Sequence, residues 1–313
     1  MIIILAPPAD VHARRVSQEI TRLGGPVEIV DWRTAGVGAM ASLHFAGPRI
    51  RRSIRADDAR TLDLADAGAV WTRRVGAATV SPAIIDTEQR RFAQAEWRDL
   101  LYGLAEGPTA VSPLSSQRAA TKPAQLAQAP RAGLIIPETL ITSDPADAAA
   151  FIDHHAGRVV HKVMNGPADR LLATARWDER HRAELDRLRL TPTIFQELVE
   201  GPRDLRVTMI GTECLAVAFD RGRRPGPVDS RLDLDVPVRP YELPAGVQAA
   251  LARLMAALGL TFATIDLKEG WDGTLYFLEL NPQGQFLYVE ILTGLPIAAA
   301  MGRHLVELDG QAF

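Results

Sequence analysis

Four polar side chains near the C-terminus have the spacing of a divalent-cation site. The dipeptide Asp272-Gly273 lies between two runs of alternating apolar residues, which is the pattern of a tight β-hairpin. A two-residue turn at this dipeptide places Asp266 opposite Glu279 and Thr264 opposite Asn281. Because residues two apart on a strand share a face, these four side chains are expected together on one face.

The opposite face of this hairpin is predicted to be core, and it carries Ala263, Ile265, Leu267, Tyr276, Leu278 and Leu280. Two carboxylates that face each other in a sheet repel, so they need a cationic partner, a shifted pKa or a metal ion. The donors are all oxygens, a set that suits Mg²⁺, and Mg²⁺ commonly shares its coordination sphere with phosphates. The alternative is a surface hairpin whose acids pair with arginines, and the residues leave both interpretations open.

Lysine is rare in this chain. Lysine and arginine together number 35, and only Lys122, Lys162 and Lys268 are lysines. If arginine has replaced lysine wherever charge alone matters, a remaining lysine indicates a place that needs a compact ammonium group. The net charge of −3 at pH 7 gives no reason to expect a nucleic-acid partner.

Cysteine and histidine do not suggest a metal centre. Cys214 is the only cysteine, which excludes an internal disulfide and any cysteine-based cluster, and it is expected in the core. His154, His155 and His161 do not have a spacing typical of metal ligands. The oxygen-only hairpin is therefore the metal site that the sequence predicts.

The elements that must position these residues belong to an ordinary globular α/β protein. The 313 residues are 47% hydrophobic and 23% charged. Apolar stretches are too short to cross a bilayer, and the first residues lack the pattern of a secretory signal, so a cytoplasmic protein without a membrane partner is expected.

The alternation of predicted elements divides the chain into three parts. Strand, helix and strand patterns within the first 32 residues predict a parallel α/β domain over residues 1–113. A central subdomain is predicted over residues 114–192, with a linking helix at 115–131, a polar helix at 177–188 and a hairpin partner for strand 158–164 at 170–174. Three successive strand patterns then begin a C-terminal subdomain over residues 193–313.

Several motifs resemble the ATP-grasp ligases. Members of that superfamily hold Mg²⁺ with an Asp on one strand and Glu-x-Asn on the next, as in Asp266 and Glu279–Pro282 here. The segment Phe195–Val199 resembles the hinge strand that holds adenine, and Asp204–Val207 resembles the Asp-hydrophobic-Arg strand that follows it. The resemblance implies an ATP-grasp fold with an N-terminal pre-ATP-grasp domain, a small central α+β subdomain and a C-terminal antiparallel sheet.

A closer resemblance is to the graspetide synthetases, the microviridin-type ligases that cross-link ribosomal peptides. The matching segments are Val70–Arg74, Lys122–Leu126, Pro137–Asp144, Gln196–Arg206, Asp229–Arg231 and Phe277–Phe286. They extend over most of the chain, and Asn-Pro-x-Gly-Gln followed by aromatic residues and Glu290 is the most specific. Two departures are a phosphate-covering loop in which Gly166 is the only glycine, and Phe286-Leu287-Tyr288 where the subgroup usually has Trp-Leu-Trp.

The resemblance also implies roles for individual residues. Lys122 and Lys162 would bind phosphate, and adenine and ribose would be bound by Gln196, Glu197, Leu198, Val199 and Asp204. Mg²⁺ would be bound by Asp266, Glu279 and Asn281, and the charge of an acyl phosphate would be stabilised by Arg206 and Arg231. The peptide would be bound by Arg73, Arg74 and Glu290. Within an apolar strand, a lysine such as Lys162 is costly unless it reaches an anion. The same reasoning applies to Arg206 at the start of its strand.

By this resemblance the chain is predicted to be an ADP-forming ligase that uses ATP and Mg²⁺. It would join Asp or Glu side chains to Ser, Thr or Lys side chains of a precursor peptide with a leader segment, acting as a homodimer. One alternative is an ATP-grasp ligase of a free amino acid or a protein tail. Another is a nucleotide- and peptide-binding module without turnover, although such a module need not keep the complete Asp/Glu/Asn set.

Overall fold

The computed structural model describes residues 1–34, 36–55, 61–64, 67–73, 76, 78–107, 110–165, 173–223 and 235–311. Within these residues the strands form four β-sheets. No helix among the described residues is both long and apolar enough to cross a membrane.

The N-terminal part is built on a parallel sheet whose first strand is wholly buried. Its elements are β1 (Ile2–Leu5), α1 (Val11–Arg22), β2 (Val27–Val30), β3 (Met40–Ala46), β4 (Arg49–Arg55), β5 (Thr61–Asp63), β6 (Ala69–Thr72), α2 (Thr87–Ala105) and β7 (Ala110–Val111). The strand order is β2-β1-β6-β7, and all three pairings are parallel, which confirms the predicted parallel α/β start. Strands β3 to β5 form a separate antiparallel sheet.

The central part contains a small antiparallel sheet. Its elements are α3 (Leu114–Ala119), α4 (Lys122–Gln128), β8 (Thr139–Thr142), α5 (Pro145–His154), β9 (Val159–Lys162), β10 (Ala175–Arg176), a 3-10 segment (Glu179–Leu190) and β11 (Thr193–Glu197). The strand order is β10-β9-β11-β8. The predicted linking helix is two helices, because Thr121 caps the second one through its side-chain oxygen and Pro123 occupies its first turn.

Two predictions for the central part differ from the structure. Among the described residues, the strand that pairs with β9 on its outer side is Ala175–Arg176, whereas residues 170–172 of the predicted partner 170–174 lie outside the described part. Strand β11, which the prediction assigned to the C-terminal subdomain, hydrogen-bonds with β8 and β9. The backbone of residues 193–197 thus belongs to the central sheet, and the three-part division itself stays a prediction.

The C-terminal part carries the largest sheet. Its elements are β12 (Arg203–Ile210), β13 (Glu213–Asp220), β14 (Val238–Tyr241), α6 (Ala245–Ala257), β15 (Phe262–Glu269), β16 (Leu275–Asn281), α7 (Leu287–Thr293) and α8 (Ile297–Gln311). The strand order is β14-β13-β12-β15-β16, and every pairing is antiparallel. One core joins this sheet to α6 and to Ala120–Leu134, and a second core joins it to α1, α8 and the N-terminal sheet.

The β15–β16 hairpin has the predicted register only where the acidic residues lie. Asp266 pairs with Glu279 and Thr264 with Asn281, as predicted. The turn, however, has three residues, since Gly270 N–H donates to the Thr274 carbonyl, and Gly273 takes a left-handed φ of 83°. A β-bulge between the two halves of the hairpin absorbs the difference.

The bulge changes which side chains of β16 are core. Phe277 is fully buried, whereas Tyr276 and Leu278 are only partly buried, so the prediction that the latter two are core is wrong. A one-residue shift of register moves side chains to the opposite face of a strand. Leu278 consequently lines the same cleft as Glu279.

Candidate active site

A cleft of about 640 Å³ opens between the central sheet and the C-terminal sheet. Strands β9 and β11 provide one wall, and strands β12, β15 and β16 provide the other. The cleft brings together predicted site residues from all five strands and from the segment after β11, namely Lys162, Gln196, Glu197, Leu198, Val199, Asp204, Arg206, Asp266 and Glu279. Residues from distant parts of the sequence therefore share one site.

Asp266 and Glu279, the two facing carboxylates, each contact a cation. Arg206 pairs with Asp266 in the sheet register, and its Nη1 donates to Asp266 Oδ1 at 2.7 Å. Lys122 Nζ, from the first residue of α4, lies 3.1 Å from Glu279 Oε2. Only one of these cations is an arginine, as the alternative interpretation expects, and both are residues that the resemblance assigns to ATP chemistry.

The donor chemistry fits Mg²⁺. Asp266 and Glu279 lie directly opposite each other and line the cleft, so their oxygens point to a shared space. Asn281 follows two residues later on the same strand, and its Oδ1 accepts a hydrogen bond from the Gln283 amide at 2.9 Å. A carbonyl oxygen has two lone pairs, so this bond leaves acceptor capacity for a cation.

Lys162 lies at the end of β9 and points into the cleft. Its Nζ donates to Gln196 Oε1 at 3.1 Å, and the buried Gln196 amide donates in turn to Thr139 Oγ1 at 2.8 Å. Burial lowers the pKa of Lys162, an effect that nearby Lys122 reinforces and that Glu279 and Asp266 oppose. An ammonium group held in this way favours an anionic ligand.

The segment Gln196–Val199 has fewer free backbone donors than the hinge prediction requires. Glu197 N–H donates to the Glu138 carbonyl, and Leu198 N–H donates to the Arg158 carbonyl, both at 2.9 Å. These two amides are therefore not available to a base. The predicted adenine contact is confined to Val199 and the carbonyl groups of the segment, and it stays a prediction.

The third lysine, Lys268, also lines the cleft, and sequence reasoning assigned it no role. Its Nζ lies 2.9 Å from Asp204 Oδ1, and Arg221 Nε lies 3.3 Å from Asp204 Oδ2. Both Lys268 and Asp204 are largely buried, with side-chain exposures of 10% and 14%. The rarity of lysine was a signal that pointed to this residue, since all three lysines lie at or beside the cleft.

Arg73 lies inside the protein. Its side chain is 1% exposed, its Nη1 donates to the Gln283 carbonyl at 2.7 Å, and its Nε is 3.7 Å from Asp10 Oδ1. A side chain buried in this way can hold the loop after Asn281 in place, but it is not accessible for the predicted contact with a peptide. Arg74 and Arg231 lie outside the described residues.

The loop between β16 and α7 is held from two sides. His12 Nε2 accepts hydrogen bonds from the Phe286 and Leu287 amides at 3.2 and 3.3 Å. On the other side, a Cβ atom at Gly284 would collide with the side chain of Thr264, so the close approach requires glycine. This loop contacts Arg206 as well, through the Gln285 carbonyl at 3.2 Å.

Glu290, predicted to bind peptide, joins structural elements. Its Oε2 accepts from the Ala298 amide at 2.6 Å near the start of α8, and its Oε1 lies 3.3 Å from Arg15 Nε on α1. Its side chain is 14% exposed. The structure thus places Glu290 between three helices and not among the residues that line the cleft.

Comparison with solved structures identifies the fold. A RiPP-associated ATP-grasp ligase of Chryseobacterium gregarium, in complex with ADP and a leader and core peptide, matches with a TM-score of 0.86 and 25% identity over 98% of this chain and 96% of that one. The macrocyclase MdnC of Microcystis aeruginosa MRC, bound with precursor peptide MdnA, matches with a TM-score of 0.85 and 25% identity over 98% and 99%.

A third similar structure is the ATP-grasp ligase PsnB complexed with a phosphomimetic variant of a minimal precursor, Mg and ADP. Its TM-score is 0.82, with 24% identity over 98% of each chain. No protein-family model matches the sequence, and no curated protein matches it. The chain has the ATP-grasp fold, and the predicted resemblance to peptide-modifying ATP-grasp ligases is confirmed at the level of structure.

Proposed function

We propose that this protein is an ATP-dependent carboxylate ligase that forms ester or amide cross-links between side chains of a ribosomal precursor peptide. The observation that carries the proposal is the cleft in which Asp266 faces Glu279, flanked by Arg206, Lys122 and Lys162. Two facing carboxylates with three cations around them suit a Mg²⁺-bound triphosphate. The whole-chain similarity to peptide-bound ATP-grasp ligases supports the peptide as substrate.

Joining a carboxylic acid to an alcohol or amine in water is uphill, so the acid must be activated. In the proposed reaction a peptide Asp or Glu carboxylate attacks the γ-phosphate of ATP and gives an acyl phosphate and ADP. A Ser or Thr hydroxyl or a Lys amine of the peptide then attacks the acyl carbon and releases phosphate, and the nucleophile loses its proton. The protein mainly positions the reactants and stabilises developing negative charge.

Three cations beside the facing carboxylates have a place in this reaction. Lys162 binds phosphate oxygens from the wall formed by β9, and Lys122 does so from the start of α4. Arg206, 6% exposed, offers a guanidinium at the transferring phosphoryl group, with Arg231 as a second proposed contributor. The carboxylate partners of Lys122 and Arg206 are the proposed metal ligands, so Mg²⁺ and the phosphates would replace these two ion pairs when the nucleotide binds.

The metal would be held by Asp266, Glu279 and Asn281. When bound, Mg²⁺ neutralises phosphate charge and favours transfer of the γ-phosphoryl group. The proposed nucleotide contacts are Val199 with the carbonyls of the hinge segment for adenine, and Asp204 for ribose. Asp204 is suited to this because Lys268 and Arg221 keep its carboxylate oriented at the cleft wall.

The remaining assignments belong to the same proposal. Arg73 acts through the loop that it binds, while Arg74 and Glu290 are proposed on the resemblance alone. A homodimer, a cytoplasmic location and a three-part division at residues 113 and 192 complete the proposal.

Mass spectrometry of the peptide tests this function. A short peptide encoded next to this protein, rich in Thr and in Asp or Glu, is incubated with the protein, ATP and Mg²⁺. Loss of one water per cross-link, together with ADP release that requires the peptide, is the expected result. An unchanged peptide mass with intact ATP would overturn the proposal, whereas ADP release with a free amino acid as acceptor would favour an amino-acid ligase.

A further inference from the structure

Glu138, His154 and His155 converge on one point of the central part, about which the ligase proposal says nothing. Their nearest ligand atoms all lie within 4.8 Å of one another. Glu138 Oε2 is 3.4 Å from His155 Nε2 and 3.9 Å from His154 Nε2. The sequence did not predict this group, because Glu138 comes from a different element than the two histidines.

The backbone fixes the two sides of this cluster. His154 is the last residue of α5 and His155 is its C-cap, after which Ala156 and Gly157 reverse the chain with left-handed φ angles of 49° and 74°. Glu138 precedes β8, and its carbonyl accepts the Glu197 amide of β11 at 2.9 Å. The distance between the two sides is thus set by sheet and helix, and only side-chain rotation is needed to adjust the ligand atoms.

His155 is the anchor of the group. Its side chain is 12% exposed and its ring contacts Phe151 at a centroid distance of 4.5 Å, which restricts its orientation. Its Nε2 atom is buried and has no hydrogen-bond partner in the described part of the chain. A buried ring nitrogen that faces a carboxylate and a second imidazole has a lone pair to offer in its neutral form.

We infer that Glu138, His154 and His155 form a binding site for a divalent transition metal of the zinc class. Two imidazoles and one carboxylate are a donor set that zinc prefers, whereas the oxygen-only set of the cleft suits Mg²⁺. A tetrahedral metal with bonds of about 2.1 Å holds its ligand atoms roughly 3.4 Å apart. The Glu138–His155 separation of 3.4 Å already matches this value, and rotation of the exposed His154 and Glu138 side chains would close the wider separations. Water completes the coordination on the exposed side, where the Glu138 and His154 side chains are 58% and 70% exposed.

A metal at this site joins the end of α5 to the residue that precedes β8, and β8 pairs with β11. The cation therefore adds a cross-link to the central sheet and is expected to raise its resistance to unfolding. The site does not depend on the ligase proposal, because no residue of the cluster lines the cleft.

Metal titration of the whole protein tests the inference. Zn²⁺ is titrated by calorimetry in the presence of excess Mg²⁺ and ADP, so that the oxygen-only site is already occupied if it binds Mg²⁺. One Zn²⁺ per chain is expected, and Glu138→Gln, His154→Asn and His155→Asn should each weaken binding by about tenfold or more. The control is His181→Asn, which removes an exposed histidine that pairs with Glu184 elsewhere, and it should bind as the parent does.

A second readout separates binding at this site from binding elsewhere. Co²⁺ in place of Zn²⁺ should give the intense visible absorption of a four-coordinate site, and this band should be lost in Glu138→Gln. Because Glu138 and His154 are exposed, their variants are expected to fold, which keeps the test decisive even if His155→Asn does not. No Zn²⁺ binding by the parent, or equal binding by the parent, Glu138→Gln and His154→Asn, would overturn the inference, whatever the outcome of the peptide assay.

Discussion

Asp266 and Glu279 lie directly opposite each other on neighbouring strands, and each carboxylate holds its own cation from another element. Arg206 reaches Asp266 from β12 at 2.7 Å, and Lys122 reaches Glu279 from α4 at 3.1 Å. Two acids that repel are thereby stabilised by the same cations that a triphosphate would attract. Each of the two acids is paired with a cation before the nucleotide binds, which is a reason for the hairpin to fold with both acids side by side.

Neutralising either acid is expected to abolish catalysis while leaving the fold intact. Asp266→Asn and Glu279→Gln remove a proposed Mg²⁺ ligand, so peptide-dependent ADP release should fall by roughly 100-fold or more. Both side chains are about a quarter exposed, at 26% each. Lys122, which Glu279→Gln releases, is a quarter exposed and can be hydrated, so that variant should keep its unfolding midpoint. Arg206 is buried, but the amide oxygen of Asp266→Asn can still accept its hydrogen bond, so this variant should stay folded with a lower unfolding midpoint.

Asp272→Asn is the matched control for these variants. Asp272 lies in the exposed turn of the same hairpin, and its carboxylate accepts hydrogen bonds from the Thr274 amide and hydroxyl. Its loss should not affect ADP release. Equal activity of Asp266→Asn and the parent at limiting Mg²⁺ would contradict the proposed metal site.

The lowered pKa of Lys162 predicts a decline of activity at alkaline pH. Burial disfavours the ammonium form, so Lys162 loses its proton at a lower pH than an ordinary lysine. As pH rises through that pKa, kcat/KM for ATP should fall by about tenfold per pH unit. Lys162→Arg, which keeps a charge at all accessible pH values, should lose this decline even if its maximum activity is lower.

The lowered pKa of Lys162 also predicts that stability increases with pH, whereas activity decreases. Because the folded protein binds the proton more weakly than the unfolded chain does, stability in the absence of nucleotide should increase as pH rises from the lowered pKa towards the ordinary value. Lys162→Met should remove this increase. A parent and a Lys162→Met variant with parallel stability–pH profiles in chemical denaturation would contradict the assignment.

Lys268 is expected to act on the nucleotide through Asp204. Lys268→Met removes the cation that lies 2.9 Å from Asp204 Oδ1, and loss of this orientation should raise KM for ATP roughly 5- to 30-fold, or about 1–2 kcal/mol. The effect on kcat should be smaller, because the site of phosphoryl transfer is formed by other residues. Lys268→Arg should recover part of the affinity.

Comparing the affinity for ATP with the affinity for 2′- or 3′-deoxy-ATP tests whether Lys268 acts through a contact between Asp204 and ribose. If Asp204 contacts ribose, one deoxy analogue should bind the parent less well than ATP does, and Lys268→Met should reduce that difference. A change in unfolding midpoint with no change in KM would mean that Lys268 stabilises only the sheet.

Arg73 is expected to matter for stability as well as for the loop after Asn281. Removing its guanidinium takes a donor from the Gln283 carbonyl and a positive charge from beside the buried Asp10, which keeps the His12 and Ala13 amides as donors, so the loss is expected to cost about 1–3 kcal/mol. Arg73→Met should therefore lower the free energy of unfolding by that amount in urea denaturation. Arg51→Ala, at a side chain that is 73% exposed, is the control and should change it by less than about 0.5 kcal/mol.

Much of the candidate site follows from local sequence pattern alone. A two-residue turn at Asp272-Gly273 predicts that Asp266 pairs with Glu279, and this pairing is found although the turn has three residues, because the bulge restores the predicted register. The pattern fails near the turn, where a three-residue loop and a bulge together put Phe277 in the core. Two compensating irregularities leave no trace in the alternation from which the register is predicted.

The tertiary structure alone determined the contacts between elements that are far apart in the chain. Arg73 and Gln283, Lys122 and Glu279, and Lys268 and Asp204 are separated by 64 to 210 residues in sequence, and no local period relates them. The sequence supplied the residue types and, for hairpins, their neighbours. Pairing of strands that are not consecutive in the chain, and packing of a helix and a loop beside them, determined which of those charges are buried together. The energy of a buried charge depends on partners that only the folded chain brings within reach.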